Sequence, residues 1–141
     1  MSERRRILLD VTARRARLEE SVVIVVGEAE FSFDGVELDT GCGYDMLIPA
    51  SCAPEGLTAQ MRPCDPVHTL GGAVEARMAE GTIRLSAGAF ARPVEVVVGH
   101  LAGRKILLGL PLLRAFDVLL PRRADDPRRP ALEYLPFADG G

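Results

Sequence analysis

The strongest constraint on how this chain folds is how often its apolar segments are interrupted. It holds 14 glycines and 10 prolines in 141 residues. Residues that free or fix the backbone this often favour short strands and turns over long helices. The longest unbroken apolar run, even counting Gly and Pro, is Ile106 to Leu113. That falls far below the roughly 18 residues that a membrane span needs. Apolar residues make up 48%, which suits a globular chain and argues against disorder, and the length fits one domain. The N-terminus, MSERRRILLD, has an apolar stretch of three residues, too short for a signal-peptide core. The expectation is a soluble, cytoplasmic chain with no membrane contact.

Several strands are predicted. Ser21 to Val26 is β-branched and closed by Gly27, which predicts a buried strand. Phe31, Phe33, Val36 and Leu38 alternate with polar residues around an Asp34-Gly35 turn signal. Val67 to Leu70 and Ala73 to Met78 read as hairpin arms around Gly71-Gly72. Thr82 to Leu85 and Val94 to Val98 predict two further strands. Ile106 to Gly109 is an apolar run ending in Gly. Pro111 to Phe116 fits a short helix with Pro in its first turn. Val118 to Leu120 returns as a strand. Residues 4–20 suggest a strand and then a short helical turn. Residues 50–66, with Pro54, Pro63 and Pro66, read as loop with one short strand at Leu57 to Met61. The organisation expected is an Arg-rich N-terminal segment (1–20), a domain (21–121) and a C-terminal tail or linker (122–141).

Charge and cysteine usage exclude several classes. The net charge of -3 lacks the basic excess of a nucleic-acid domain. Arginine outnumbers lysine 16 to 1 and clusters at both ends: Arg4, Arg5, Arg6, Arg14, Arg15 and Arg17, then Arg122, Arg123, Arg128 and Arg129. Such clusters are solvated termini or a patch for an acidic partner. Cys42, Cys52 and Cys64 are odd in number and form no CxxC pair, which argues against a disulfide framework and a zinc site. His68 and His100 lie far apart in the chain with no ligand pattern near them. No metal and no cofactor is expected, and neither a nucleophile elbow nor a phosphate-cradling glycine loop is present.

One acidic residue stands out by its setting. Asp39 ends the run Val36-Glu37-Leu38 and is followed by Thr40 and Gly41. Gly41 permits close backbone approach, and the Thr40 hydroxyl can lock a loop. Alone, the tripeptide is equally an Asx-type turn after a strand. The flanks add to it. Leu38-Asp39-Thr40-Gly41 followed by Leu47-Ile48-Pro49 resembles the active-site segment of retropepsin-like aspartic proteases. Leu107-Leu108-Gly109 leading into Pro111-Leu112-Leu113 resembles that family's second signature, and Thr69-Leu70-Gly71-Gly72-Ala73 its glycine-tipped flap. The resemblance spans roughly residues 22 to 120 and is nearest the small bacterial single-domain form. Viral members often carry an Asp two residues after the motif Gly and an Arg after the second Gly. Here those positions are Gly43 and Leu110, so both partners of that ion pair are absent together. Cys42 stands where the family usually has Ala or Ser and adds an oxidation point.

The resemblance implies an all-β fold: a retropepsin-like closed β-barrel, one lobe per chain, with one short C-terminal helix. It implies an aspartic endopeptidase in which two carboxylates share one proton and activate water. Asp10, Asp34, Asp45, Asp65 and Asp117 lack the Thr-Gly sequel, so the second carboxylate is expected from Asp39 of another copy in a symmetric homodimer. The implied catalytic group is Asp39, Thr40 and Gly41. The implied contacts to an extended peptide are Cys42, Gly43, Leu70, Gly71, Gly72 and Leu108. Leu47, Ile48 and Leu108 serve either pockets or core. End strands are expected to interleave between the chains, with Phe116 to Leu120 as the candidate here. The apolar stretch Leu132 to Phe137 either packs on the surface or docks in a cleft. The alternative function is a non-catalytic retropepsin-like dimer that binds peptides or assembles a larger complex.

Overall fold

A computed structural model describes residues 4–136. Its strands are β1 (Arg5–Val11), β2 (Ala16–Leu18), β3 (Val22–Val26), β4 (Ala29–Phe33), β5 (Glu37–Asp39), β6 (Met46–Pro49), β7 (Arg62–Thr69), β8 (Gly72–Leu85), β9 (Phe90–Gly99), β10 (Leu107–Gly109), β11 (Asp117–Leu119) and β12 (Ala131–Tyr134). Two single-turn α-helices, α1 (Glu55–Thr58) and α2 (Leu110–Leu113), and two 3-10 turns, at Ala50–Cys52 and Ser86–Gly88, interrupt them. The strands join in the order β11-β12-β1-β2-β5-β10-β6-β9-β8-β3-β4, with β7 against β8. The expected all-β class with a short C-terminal helix holds. The path has two ends, and among the described residues no pairing joins β4 to β11 to close the expected barrel. No helix among the described residues is long and apolar enough to cross a membrane.

Period-two patterning builds the core. In β3 the side chains of Val22, Ile24 and Val26 are buried while Val23 and Val25 are partly exposed, as a strand with one covered face requires. They pack with Met46, Ile48, Ile83, Val96 and Leu108 in one large cluster. A second, smaller cluster forms under the β7–β8 hairpin from Cys42, Leu47, Val67, Ala76 and Val97.

Four expectations need correction. Residues 16–18 are strand, not a helical turn: the Thr12 amide donates to the Arg15 carbonyl at 2.9 Å, and β2 turns back along β1. Leu57 to Met61 is not a strand. Pro54 caps α1 in extended conformation, and the fully buried Leu57 anchors that turn. Thr82 to Leu85 is not a separate strand but the end of the 14-residue β8, which pairs with β7, β9 and β3 in turn. Residues 131–134 are not a free tail. They form β12 between β1 and β11, and Ala131, Leu132 and Tyr134 are buried there. Tyr134 packs edge-on against Phe90, with ring centroids 5.3 Å apart. Phe137 lies outside the described residues.

The arginine clusters are largely paired within the chain. Arg6 meets Glu133 at 3.0 Å and Arg15 meets the buried Glu37 at 3.4 Å. Arg4 pairs with Asp117 and Arg129 with Glu19. An exposed pair such as Arg4 with Asp117 contributes at most about 1 kcal/mol, but together with Arg6 and Glu133 it ties both ends of the chain to the same edge of the sheet.

Candidate active site

The site is built where β5, β10 and β6 meet. β10 runs parallel to β5, with Gly109 opposite Asp39, and antiparallel to β6. The loop from Thr40 to Asp45 leaves β5 and crosses the end of β10 to reach β6. Two bonds lock it there: the Gly109 amide donates to the Asp45 carbonyl at 3.0 Å, and the Leu110 amide to the Cys42 carbonyl at 2.9 Å. The crossing is so close that a Cβ on Gly109 would stand 1.9 Å from the Tyr44 carbonyl oxygen and 2.6 Å from that of Cys42. The two motif segments therefore need each other sterically.

Within the loop, Asp39 is half-buried. Its Oδ1 accepts the Gly41 amide at 2.8 Å, and its carbonyl accepts the Cys42 amide at 3.0 Å. One carboxylate oxygen is thus held by the backbone. Cys42 is buried beneath, and burial pushes its thiol pKa up. A backbone hydrogen bond at Tyr44 works the other way, and the Asp39 charge adds to the rise.

Asp39 opens on a cleft of about 730 Å³ that also touches Gly41, Cys42, Gly43, Leu70 and Gly71. The β7–β8 hairpin covers it. Val67 pairs with Val74, His68 with Ala73 and Thr69 with Gly72. The Thr69 hydroxyl accepts the Gly71 amide at 3.2 Å and donates to the Gly72 carbonyl at 2.8 Å. Gly72 turns the chain at φ +116, a conformation that suits glycine. Leu70 stands fully exposed at the tip.

Most of the residues singled out from sequence are therefore gathered here. Thr40 is exposed in the same loop, and Gly72 sits at the hairpin tip without touching the cleft. Leu108 is placed elsewhere: it has 0% exposure and lies in the main core, while its neighbour Leu107 lines the cleft. Strand alternation allows only one of two adjacent leucines to face the cleft. Ile48 likewise belongs to the core, whereas Leu47 lines the cleft. Sequence reasoning missed Tyr44, Leu101 and Lys105, which also line it. Among the described residues no group of three or more His, Cys, Asp or Glu side chains could hold a metal ion.

An Asp-Thr-Gly loop packed on a Leu-Leu-Gly strand beneath a glycine-tipped hairpin defines a retropepsin-like fold. A solved structure agrees. A retropepsin-like aspartic protease from Rickettsia conorii aligns over 96% of this chain and 96% of its own, at 16% identity and a TM-score of 0.61. EIAV protease, in complex with the inhibitor HBY-793, aligns over 74% of this chain and 92% of its own, at 16% identity and a TM-score of 0.47. No family model and no curated protein matches the chain.

Proposed function

We propose that two copies of this chain form an aspartic endopeptidase whose dyad is Asp39 from each. The reading is carried by the Asp39 carboxylate: half-buried at a strand end, with one oxygen fixed by the Gly41 amide and open to a cleft under a hairpin lid. A carboxylate held this way is positioned before substrate arrives. Two carboxylates brought within a few ångströms across a two-fold axis share one proton. The ionised one takes a proton from water as the water attacks the scissile carbonyl; the protonated one donates to the carbonyl oxygen. Thr40 braces the two loops, and the hairpin with Leu70 at its tip closes over an extended peptide.

The test is cleavage of an unbiased peptide library between about pH 4 and 8, with sedimentation of the same sample. Parent protein cleaves and sediments as a dimer. Asp39→Asn keeps the dimer but loses turnover by at least about a hundredfold, the scale of general acid–base catalysis. Activity falls as pH rises and the shared proton leaves the pair. A parent that cleaves nothing across the range, or an active Asp39→Asn, overturns the reading.

A further inference from the structure

The charged lining of the cleft is one-sided. Asp39 is its single carboxylate among the described residues; beside the weak acids Cys42 and Tyr44, the other ionisable side chains on it are bases: His68, His100 and Lys105. The chain has only two histidines and, against 16 arginines, only one lysine. All three reach this one cleft, from β7, from the residue after β9 and from the loop before β10. All three are exposed, and among the described residues no ion pair engages Lys105, unlike the paired arginines of the termini. Beneath them the floor is apolar, with Leu47 and Leu107 from the small core cluster. An apolar floor with the Lys105 ammonium at its rim matches a side chain that has an aliphatic stem and an anionic end.

We propose that this cleft selects extended peptides bearing glutamate or aspartate, whose carboxylate is held by Lys105 with His68 and His100 around it. The proposal rests on the cleft being the peptide site of the endopeptidase described above. The Asp39 carboxylate repels a second acid placed against it, so the acidic side chain belongs at the Lys105 end, away from the scissile bond.

The experiment uses the full chain and a library of extended peptides in pairs that exchange Glu and its neutral isostere Gln at each position. At one position Glu is favoured over Gln by about fivefold in kcat/KM, the scale of solvent-exposed ion pairs acting together, and added salt reduces the ratio. Lys105→Met brings the ratio close to one, and Lys105→Glu makes a Lys peptide better than the Glu peptide. The same pairs are titrated against Asp39→Asn by fluorescence anisotropy, which reads binding without cleavage. Cleavage that ignores the Glu-for-Gln exchange at every position overturns the acidic preference and leaves the peptidase intact. A Glu preference in binding that Lys105→Met removes, with no cleavage by the parent, supports the preference and overturns the peptidase. Peptides that are neither cut nor bound overturn both.

Discussion

At position 109 only hydrogen fits. A methyl group there meets two backbone carbonyl oxygens, neither of which can swing aside as a side-chain tip can. Gly109→Ala is therefore expected to cost at least about 2 kcal/mol, at the upper end of overpacking substitutions, and to displace the Asp39 loop with it. Thermal unfolding measures the first effect; a melt within a degree of the parent would falsify the close crossing. Cys42 makes a second prediction. Only the thiolate alkylates, and burial and the Asp39 charge both hold the thiol protonated. Its labelling by iodoacetamide, followed by peptide mass spectrometry on folded protein, should be slow at neutral pH and still climbing beyond the pH where an ordinary thiol has levelled off. Asp39→Asn removes one of the two raising causes, so labelling at fixed pH should speed up; an unchanged rate would leave burial as the whole cause. At this scale much of the site is legible in the sequence, because Asp-Thr-Gly and Leu-Leu-Gly name the residues whose backbones must touch. The choice of Leu107 over Leu108 is not, since it depends on which face of β10 the sheet turns to the core.

Among the elements, the β7–β8 hairpin stands clear of the core at its tip, where Leu70 is fully exposed. Its turn relies on the Thr69 hydroxyl, which bonds both Gly71 and Gly72. Thr69→Val keeps the shape and β-branching and removes both bonds. The loss is local: global stability should fall by no more than about 1.5 kcal/mol, the scale of exposed hydrogen bonds. Amide exchange over residues 67–74 should quicken, since a tip with few buried contacts opens independently of the core. If the hairpin is the lid, KM should rise more than kcat falls. Exchange that matches the parent's would show that the strand pairing alone holds the tip. The hairpin was readable from Gly71-Gly72 between apolar arms. The length of β8 was not, because pairing with β7, β9 and β3 in succession is tertiary and a strand of 14 residues outruns any local signal. Around α1, Leu57 to Met61 could pass for a short strand, yet a helical turn follows Pro54 and Leu57 alone supplies its buried anchor.

For the whole molecule, the question is what the last strand does. Pro, Arg and Asp dominate residues 121–130, and that composition disguises the four-residue β12 that follows. In the structure β12 lies between β1 and β11, so one side of β11, the candidate for an interleaved end strand, is taken by the chain's own β12. The strand path ends at β4 and at β11; at β11 Val118 is half-exposed and no strand among the described residues pairs on its outer side. If β12 belongs to the core, Leu132→Ala leaves a cavity at a site with 0% exposure and should cost about 2–5 kcal/mol. A domain of this size has roughly 5–15 kcal/mol of stability in all. Deleting residues 125–141 removes Ala131, Leu132 and Tyr134 together and should abolish cooperative melting, in calorimetry and in circular dichroism alike. A tail that merely sat in a cleft would behave in the opposite way: its removal would leave the melt unchanged and free the cleft. Leu132→Ala separates the two, because it keeps the segment and weakens only its packing. Activity lost in step with folded fraction, and restored on cooling the variant below its lowered melting point, marks β12 as part of the scaffold that holds Asp39 rather than as a restraint on it.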